Sequence, residues 1–277
     1  MTERLDGARV GRVALAVTDL DAAAAFYRGV VGLAVLDRTT DAATLGASDT
    51  PLLELRADEG LPERPRSAAG LYHVAFRFPS RGALADALER VRETWRLDGA
   101  ADHGVSEALY LADPEGNGVE LYYDRPKDAW PVADGRVEMT TDPLALDNLA
   151  ADATGADDAP PGTDVGHLHL ESTDLAAARA FYVDALGLSV RQELGQDALF
   201  VAASDYHHHI GLNTWRDRTT PAAGRGLDWY ELLVPDTGTL DAAADRLSAA
   251  DYSVEKTHAG LTVVDPDGIT LRVRVDE

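Results

Sequence analysis

The chain has 277 residues, which is long enough for two domains, and its 45% hydrophobic content is ample for packed cores. Its formal net charge of -23 excludes nucleic acid as a partner, because the phosphate backbone would be repelled. The absence of cysteine excludes disulfides and thiolate ligands, so a metal would be held by His, Asp or Glu. Such ligands favour harder metals, such as iron or manganese.

The basic residues are unusual, since only Lys127 and Lys256 among 25 are lysines. This acidic, Lys-poor composition resembles that of proteins from salt-loving organisms, in which salt screens the mutual repulsion. The alternative is an acidic protein from an ordinary organism, and a melting temperature independent of salt would favour it. Because neither a signal peptide nor a membrane span of about 18 apolar residues is seen, we expect a cytoplasmic protein without a membrane partner.

The first predicted elements are a strand and a helix near the start of the chain. Apolar residues alternate over Val10–Leu15, which predicts a strand, and the Ala-rich stretch Leu20–Val31 before Gly32 predicts a helix. Short strands follow. The segment Gly70–Phe76 then begins a weaker copy of the same pattern, with its own helix.

A hairpin ends this second copy. The run Leu109–Ala112 leads into a turn that contains Pro, Gly and Asn, and Val119–Tyr123 is predicted to be the returning strand. Glu120 is therefore an acidic residue on a half-buried strand, where a carboxylate needs a partner. The alternative is a Glu at the strand edge that faces solvent.

Residues 126–164 are rich in Pro, Asp, Ala and Gly and predict a linker. The first part, Trp130-Pro131 with Val137–Met139, could instead form a short strand. Beyond it the chain repeats itself, because Val165–Leu170 matches Val10–Leu15 and each is followed by T-D-L, an Ala-rich stretch, Phe-Tyr and Gly-Leu.

A fourth copy begins at Gly226–Leu232 and ends, like the second, in a D-P-x-G turn. We therefore predict an α+β fold of four βαβββ modules, which we number in chain order. The predicted domains are residues 1–125 and 165–277, joined by the linker.

These modules and the motifs V-G-H-x-H-L, F-Y-x-x-x-L-G-L and D-P-x-G-N-G-x-E resemble the vicinal oxygen chelate superfamily, which includes glyoxalases, bleomycin resistance proteins and extradiol catechol dioxygenases. The resemblance covers nearly all of the chain outside the linker. It implies two tandem glyoxalase-like domains, but not one reaction, since the scaffold hosts several.

The segment between His103 and Glu120 is similar to the pattern of two-domain extradiol dioxygenases. That pattern has a His, an aliphatic-Tyr pair, an acidic residue before Pro, a Gly and a Glu, and Tyr110 and Asp113 occupy two of these positions. The family usually has Gly, Asn, Thr or a β-branched residue two positions before the His, where this chain has Ala101. The departure concerns His103 and leaves the Tyr and the Glu untouched.

In this superfamily, metal ligands come from the first and last strands of facing modules. The corresponding residues here are Arg12, His73, His167 and Trp229 on first strands, with Glu120 and Arg272 on last strands. Only the two histidines and the glutamate among them can bind a metal.

The resemblance thus implies one complete metal site, formed by the second and third modules across the two domains from His73, Glu120 and His167. The remaining three residues would gather in an inactive counterpart. If each half instead formed its own site, neither set would be complete. Two His and a carboxylate suit a non-haem Fe(II) site with open positions for a diol and dioxygen, and Mn(II) is the alternative metal.

The run His207-His208-His209 is predicted to lie on the last strand of the third module, with alternating side-chain directions. The resemblance makes His208 the acid-base residue, although His209 is one slip of register away. The alternative is a His cluster on the surface. His169 would either support His167 or bind the metal itself.

Further roles follow from the resemblance. Tyr110 would hydrogen-bond the substrate oxygen, and His103 would assist proton transfer. His258 occupies the place of His103 in the inactive pair and is expected to be dispensable.

The expected function is extradiol cleavage of a small aromatic diol by dioxygen. The rivals are a metal-dependent glyoxalase-type lyase or isomerase and a metal-free drug-binding protein of the same fold. The sequence leaves open whether the diol is a catechol, a substituted catechol or a hydroquinone, the side of cleavage, and the oligomeric state.

Overall fold

The computed structural model describes residues 5–133 and 136–276 and contains the four predicted βαβββ modules. The first module comprises β1 (Arg9–Val17), α1 (Leu20–Phe26), β2 (Ala34–Arg38), β3 (Ala42–Ala47) and β4 (Thr50–Ala57). The second comprises β5 (Gly70–Phe78), α2 (Arg81–Thr94), β6 (Gly99–Asp102), β7 (Ser106–Ala112) and β8 (Gly118–Asp124).

Short elements occupy the segment predicted to be a linker. They are a 3-10 turn (Lys127–Ala129), β9 (Val132–Ala133), β10 (Arg136–Val137), β11 (Asp142–Pro143) and α3 (Leu146–Ala150). β9 and β10 pair antiparallel, and β11 pairs antiparallel with β6. The segment is thus partly structured. The domain boundaries at residues 125 and 165 stay a prediction from the sequence.

The second half repeats the same order of elements. The third module comprises β12 (Asp164–Glu171), α4 (Leu175–Arg179), β13 (Ser189–Leu194), β14 (Ala198–Ala202) and β15 (Ile210–Asn213). The fourth comprises β16 (Gly226–Val234), α5 (Thr237–Ala249), β17 (Val254–Thr257), β18 (Gly260–Val264) and β19 (Thr270–Val275). The predicted fold class, α+β, is confirmed.

The helices of the first and third modules both widen at their C-terminal ends. The predicted helix Leu20–Val31 consists of α1 followed by a π-helical turn, Tyr27–Val31, and it stops at Gly32, whose φ of 90° suits glycine. The same turn follows α4 over Ala180–Ala185. In both modules it carries the Tyr of the Phe-Tyr motif.

The chain forms two compact units, which we name after one histidine in each. The His73 unit consists of Ala14–Leu61 and His73–Gly166, and the His167 unit consists of the residues up to Val13, Pro62–Tyr72 and the residues from His167 onward. The strand order in the His73 unit includes β11-β6-β7-β8-β5 and β4-β3-β2. In the His167 unit it includes β12-β15-β14-β13 and β17-β18-β19-β16.

The motifs that repeat in the sequence form hydrogen bonds between elements of the His73 unit. The buried Tyr27 donates a hydrogen bond to Asp113 of the D-P turn at 3.0 Å. Glu115 of the same turn accepts hydrogen bonds from the backbone N–H and the hydroxyl of Thr18 and from the N–H of Asp19, just before α1. The first and second modules are therefore tied at the N-terminus of α1 and at the π-helical turn.

The His167 unit contains the same arrangement. Tyr182 donates to Asp265 at 2.8 Å, and Thr173 donates to Asp267 through both its N–H and its hydroxyl. Burial raises the pKa of Asp265 to about 6, although hydrogen bonds from Ile269 and Tyr182 favour its charged form. The T-D-L, Phe-Tyr and D-P motifs thus hold elements of each unit together through hydrogen bonds.

Strand register is the same in the second and fourth modules. β5 and β8 pair in parallel with His73 opposite Gly118, and β16 and β19 pair in parallel with Trp229 opposite Thr270. Equivalent positions of the two modules can therefore be compared residue by residue. Within residues 5–133 and 136–276, no helix combines the length and the apolar character that crossing a bilayer requires.

Candidate metal centre and active site

His73 and Glu120 lie on neighbouring strands and meet on one face of their sheet. His73 is only 6% exposed and Glu120 only 3%, and His73 Nε2 lies 2.9 Å from Glu120 Oε2. Ala75, Ala108 and Tyr122 form a buried apolar cluster, against which Tyr110 packs. A carboxylate in such surroundings is costly unless it is paired or binds a metal ion.

The spacing of these two atoms also suits a metal ion. Imidazole and carboxylate ligands bind at ~2.0–2.2 Å, so two of them at right angles are roughly 3 Å apart. The 2.9 Å separation between His73 Nε2 and Glu120 Oε2 matches that distance. The donor set of a nitrogen and a carboxylate oxygen fits iron and manganese.

Tyr110 and His103 form a hydrogen-bonded pair in the same unit. Tyr110 lies opposite Glu120 in the β7–β8 ladder, and its ring centroid is 5.8 Å from that of His73. The Tyr110 hydroxyl lies 2.6 Å from His103 Nε2. The structure therefore brings four of the predicted site residues together, namely His73, Glu120, Tyr110 and His103.

A backbone group from the segment after the second module sets the tautomer of His103. His103 Nδ1 lies 2.6 Å from the carbonyl oxygen of Thr140, which can only accept. Nδ1 therefore carries the hydrogen and donates to Thr140, and in the neutral ring Nε2 accepts from the hydroxyl of Tyr110. Thr140 was missed by the sequence analysis, since a contact made by a main-chain carbonyl leaves no residue-type signature.

His167 lies within β12 and is 2% exposed. The glycine before it is needed for packing, because a Cβ at Gly166 would lie 1.7 Å from the hydroxyl oxygen of Tyr122. The V-G-H motif thus combines a glycine that admits a neighbouring tyrosine with the predicted metal ligand.

The prediction that His207, His208 and His209 lie on a strand is wrong. β15 begins only at Ile210, and the three residues form the bend before it. The reason is a local set of contacts: His209 Nδ1 accepts a hydrogen bond from the N–H of Ala203, and its ring stacks on Tyr206 at 4.8 Å. Strand alternation therefore does not separate the rings.

Instead, two of the three rings lie side by side near His167. His207 Nδ1 and His208 Nδ1 are 2.8 Å apart. The ring centroid of His208 is 4.2 Å from that of His167, compared with 5.9 Å for His207. The structure thus places the predicted acid-base residue, His208, beside a predicted ligand, whereas His209 is turned to Tyr206.

His169 extends this cluster. Its ring centroid is 5.8 Å from that of His167 and 5.2 Å from that of His208. It packs directly over Gly211, where a Cβ would lie 2.1 Å from His169 Nε2. The small residue at this position therefore lets the imidazole lie against the neighbouring strand.

The structure brings together the three residues of the predicted inactive counterpart, all in the His167 unit. Arg272 lies over the ring of Trp229 with its guanidinium carbon 3.9 Å from the ring centroid, and that of Arg12 is 5.5 Å away. The buried Glu231 accepts from Arg12 at 2.9 Å and from Arg274 at 3.2 Å. Burial opposes the charge of Glu231, but these arginines hold its pKa below the ordinary value.

Comparisons with known proteins support the superfamily that the sequence resembles. The sequence profile of the Glyoxalase/Bleomycin resistance protein/Dioxygenase superfamily matches residues 9–121 and 164–273. The chain is 40% identical over 277 residues to a catechol-2,3-dioxygenase of Bacillus subtilis, with 96% of both chains covered.

Two solved structures share the fold. One is a putative dioxygenase of Bacillus subtilis, with a TM-score of 0.68, 14% identity and coverage of 100% of this chain and 86% of that chain. The other is glyoxalase I of Zea mays, with a TM-score of 0.60, 17% identity and coverage of 98% and 93%. With its two matched ranges and a similarity that spans nearly its whole length, the chain belongs to the Glyoxalase/Bleomycin resistance protein/Dioxygenase superfamily.

Proposed function

We propose that this protein cleaves the ring of a catechol or a hydroquinone with dioxygen at a non-haem Fe(II) site, with Mn(II) as the alternative metal. Its enzyme class is that of an extradiol dioxygenase, an oxidoreductase, as the relatives named for catechol and biphenyl-2,3-diol dioxygenases indicate. The observation that carries the proposal is the buried contact of His73 with Glu120, beside the Tyr110–His103 pair.

The proposed metal ligands are His73, Glu120 and His167. Each is buried, and each stands at a position where the superfamily pattern expects a ligand. When bound, the metal would hold the diol and dioxygen next to each other and supply Lewis acidity. Two imidazoles and one carboxylate suit this ion because they leave room for exchangeable partners.

Tyr110 is proposed to hydrogen-bond the substrate oxygen, accepting from a hydroxyl of the diol while its own proton points to His103. Its hydroxyl is oriented by His103, whose other nitrogen is fixed on the carbonyl of Thr140. Because Nε2 of the neutral ring is an acceptor, His103 can take the phenolic proton when Tyr110 releases it. The pair is therefore a short proton path that ends at an imidazole on the less buried side.

His208 is proposed to accept the hydroxyl proton of the diol and to return a proton as the ring opens. Its Nδ1 edge is engaged by Nδ1 of His207, so one hydrogen is shared between the two rings there. This leaves Nε2 of His208 as the atom that exchanges protons with the substrate. An imidazole is suited to this role because its ordinary pKa is close to neutrality.

The test is oxygen uptake by protein loaded anaerobically with Fe(II) in high salt, with a panel of catechols and hydroquinones. We expect uptake together with a yellow ring-opened product, and neither with His167→Ala. The matched control is His258→Ala, which changes the exposed counterpart of His103 and should retain activity.

Two outcomes would contradict the proposal. Stoichiometric metal without oxygen uptake would favour a glyoxalase-type lyase or isomerase. A chain that binds no metal would instead favour a metal-free small-molecule binding protein of the same fold.

A further inference from the structure

A cluster of arginines surrounds one buried glutamate in the His167 unit. Glu171, at the end of β12, is 1% exposed and lies within 3.1 Å of Arg64 and 3.0 Å of Arg218. Arg216 is a third neighbour at 3.4 Å. Three guanidinium groups around one carboxylate leave a local excess of positive charge, although the whole chain carries -23.

The three arginines are not equivalent. Arg64 also donates to the carbonyl of Leu71, and Arg218 also donates to the carbonyl of Arg66, so both are bound to the main chain as well as to Glu171. Their side chains are 22% and 9% exposed. These two arginines already offset the charge of the glutamate, and they hold it in place.

Arg216 is the outermost of the three. Its side chain is 54% exposed, and its contact with Glu171 is the longest. The guanidinium carbon lies 4.8 Å from the ring centroid of Tyr72. A guanidinium stacked on a ring keeps its in-plane N–H donors available to a planar anion, such as a carboxylate.

Aromatic side chains connect this cation to the proposed active site. Trp215, which is 45% exposed, meets Tyr72 edge to face at 5.4 Å. Both rings contact His169, with centroid distances of 6.0 Å for Trp215 and 6.2 Å for Tyr72. His169 in turn lies beside His167, so an aromatic surface leads from the predicted ligand to Arg216.

We infer that Arg216, with Trp215 and Tyr72, selects aromatic diols that carry a short anionic side chain, such as a carboxylate. This inference rests on the proposed function and names the substrate class of that site. The rings pack against the substrate ring or its side chain, and Arg216 binds the anionic group. Elsewhere the acidic chain repels such a group, so the local positive charge adds discrimination.

The experiment uses two probes that differ only in charge, 3-(2,3-dihydroxyphenyl)propionate and the corresponding amide. Anaerobic calorimetry with the Fe(II)-loaded protein gives the ratio of their Kd values, and oxygen uptake gives the ratio of their kcat/KM values. We expect wild-type protein to prefer the carboxylate by about five- to tenfold, the effect of one charge-assisted contact at a partly exposed site. Arg216→Gln should bring both ratios close to unity.

Two further variants separate recognition from a structural role. Arg216→Lys keeps the charge and should retain part of the preference, whereas Arg179→Gln removes an arginine of the same unit, paired with Glu193 at 2.6 Å, and should leave the ratios unchanged. The inference is overturned if wild-type protein does not prefer the carboxylate, if Arg216→Gln weakens both probes equally, or if Lys behaves as Gln.

Anaerobic binding does not require ring cleavage, so the two proposals can fail separately. A retained binding ratio without oxygen uptake would contradict the dioxygenase and support the inference. Oxygen uptake with equal binding of the two probes would do the reverse.

Discussion

In the second module, β5 carries His73 at the position where β16 of the fourth module carries Trp229, and the strand register is the same in both. On the last strands, Glu120 corresponds to Arg272. The one face presents a nitrogen and a carboxylate 2.9 Å apart, and the other a buried indole covered by a guanidinium. The backbone of a module therefore fixes where a site can be, while a few side chains decide whether it can bind a metal.

The strongest test of this comparison removes the proposed ligands from the second module alone. His73→Ala or Glu120→Gln should abolish stoichiometric metal binding and lower activity by more than the ~10–100-fold typical of groups that only support a ligand. Metal content by elemental analysis and oxygen uptake are the measurements. Arg272→Gln, the same position in the fourth module, is the control and should affect neither.

The Tyr110–His103 pair has no equivalent in the fourth module, where Thr262 takes the place of Tyr110 opposite Arg272. Tyr110→Phe should lower kcat by about a hundredfold, the smaller end of the range for acid-base groups, with metal content unchanged. His103→Ala should have a smaller effect of the same kind, because it acts through Tyr110. An equal loss in His258→Ala would contradict the assignment of the pair.

The buried aspartates of the two D-P turns, Asp113 and Asp265, can be compared through the pH dependence of protein stability. The pKa of Asp265 is about 6 in the folded protein, above the ~3.9 of an unfolded chain, so its stabilising contribution is present below pH ~4 and is lost as the pH rises through ~6. Relative to Asp265→Asn, wild-type protein should lose about 2 kcal/mol of unfolding free energy between pH ~4 and ~7.

Urea denaturation at several pH values measures this difference. Asp113→Asn should change stability in the same direction, since burial also raises the pKa of Asp113. A difference from wild-type protein that does not vary with pH would show that Asp265 is not titrating in this range.

The smallest effect concerns the stability of the inactive counterpart. Glu231→Gln leaves Arg12 and Arg274 facing a neutral amide and should cost about 2 kcal/mol, less than a fully buried pair because both arginines are partly exposed. Glu120→Gln should be neutral or stabilising, because it removes the charge of a buried carboxylate. Urea denaturation of both variants without added metal measures the contrast, and equal destabilisation would contradict it.

Much of this architecture could be predicted because the sequence contains internal repeats. The recurrence of Val165–Leu170 after Val10–Leu15 predicted the modules, and the hairpin around the D-P turn predicted a strand position for Glu120. The counterpart of Arg12, Trp229 and Arg272 also followed, since equivalent positions of repeats occupy equivalent places.

The remaining features depend on tertiary contacts that cannot be predicted from residue types. The bend at His207–His209 arises because Ala203 binds an imidazole nitrogen before β15 can begin, which strand periodicity cannot reveal. The arginines around Glu171 come from two separate parts of the chain, Arg64 from one and Arg216 with Arg218 from the other, and meet only after folding. The hydrogen bond from His103 to Thr140 uses a carbonyl that every residue possesses.

The contact of Thr140 with His103 means that the segment between the tandem domains is more than a spacer. Thr140 also donates its N–H to the carbonyl of His103, so two hydrogen bonds, one from the His103 side chain and one between main-chain groups, hold this segment against the proposed proton path. This connector therefore helps to orient His103 as well as joining the two domains. Exchanging it between relatives, shortening it or replacing it with a flexible Gly-Ser spacer would alter proton transfer even where both domains fold, so chimeric enzymes should be joined beyond this point and not within it.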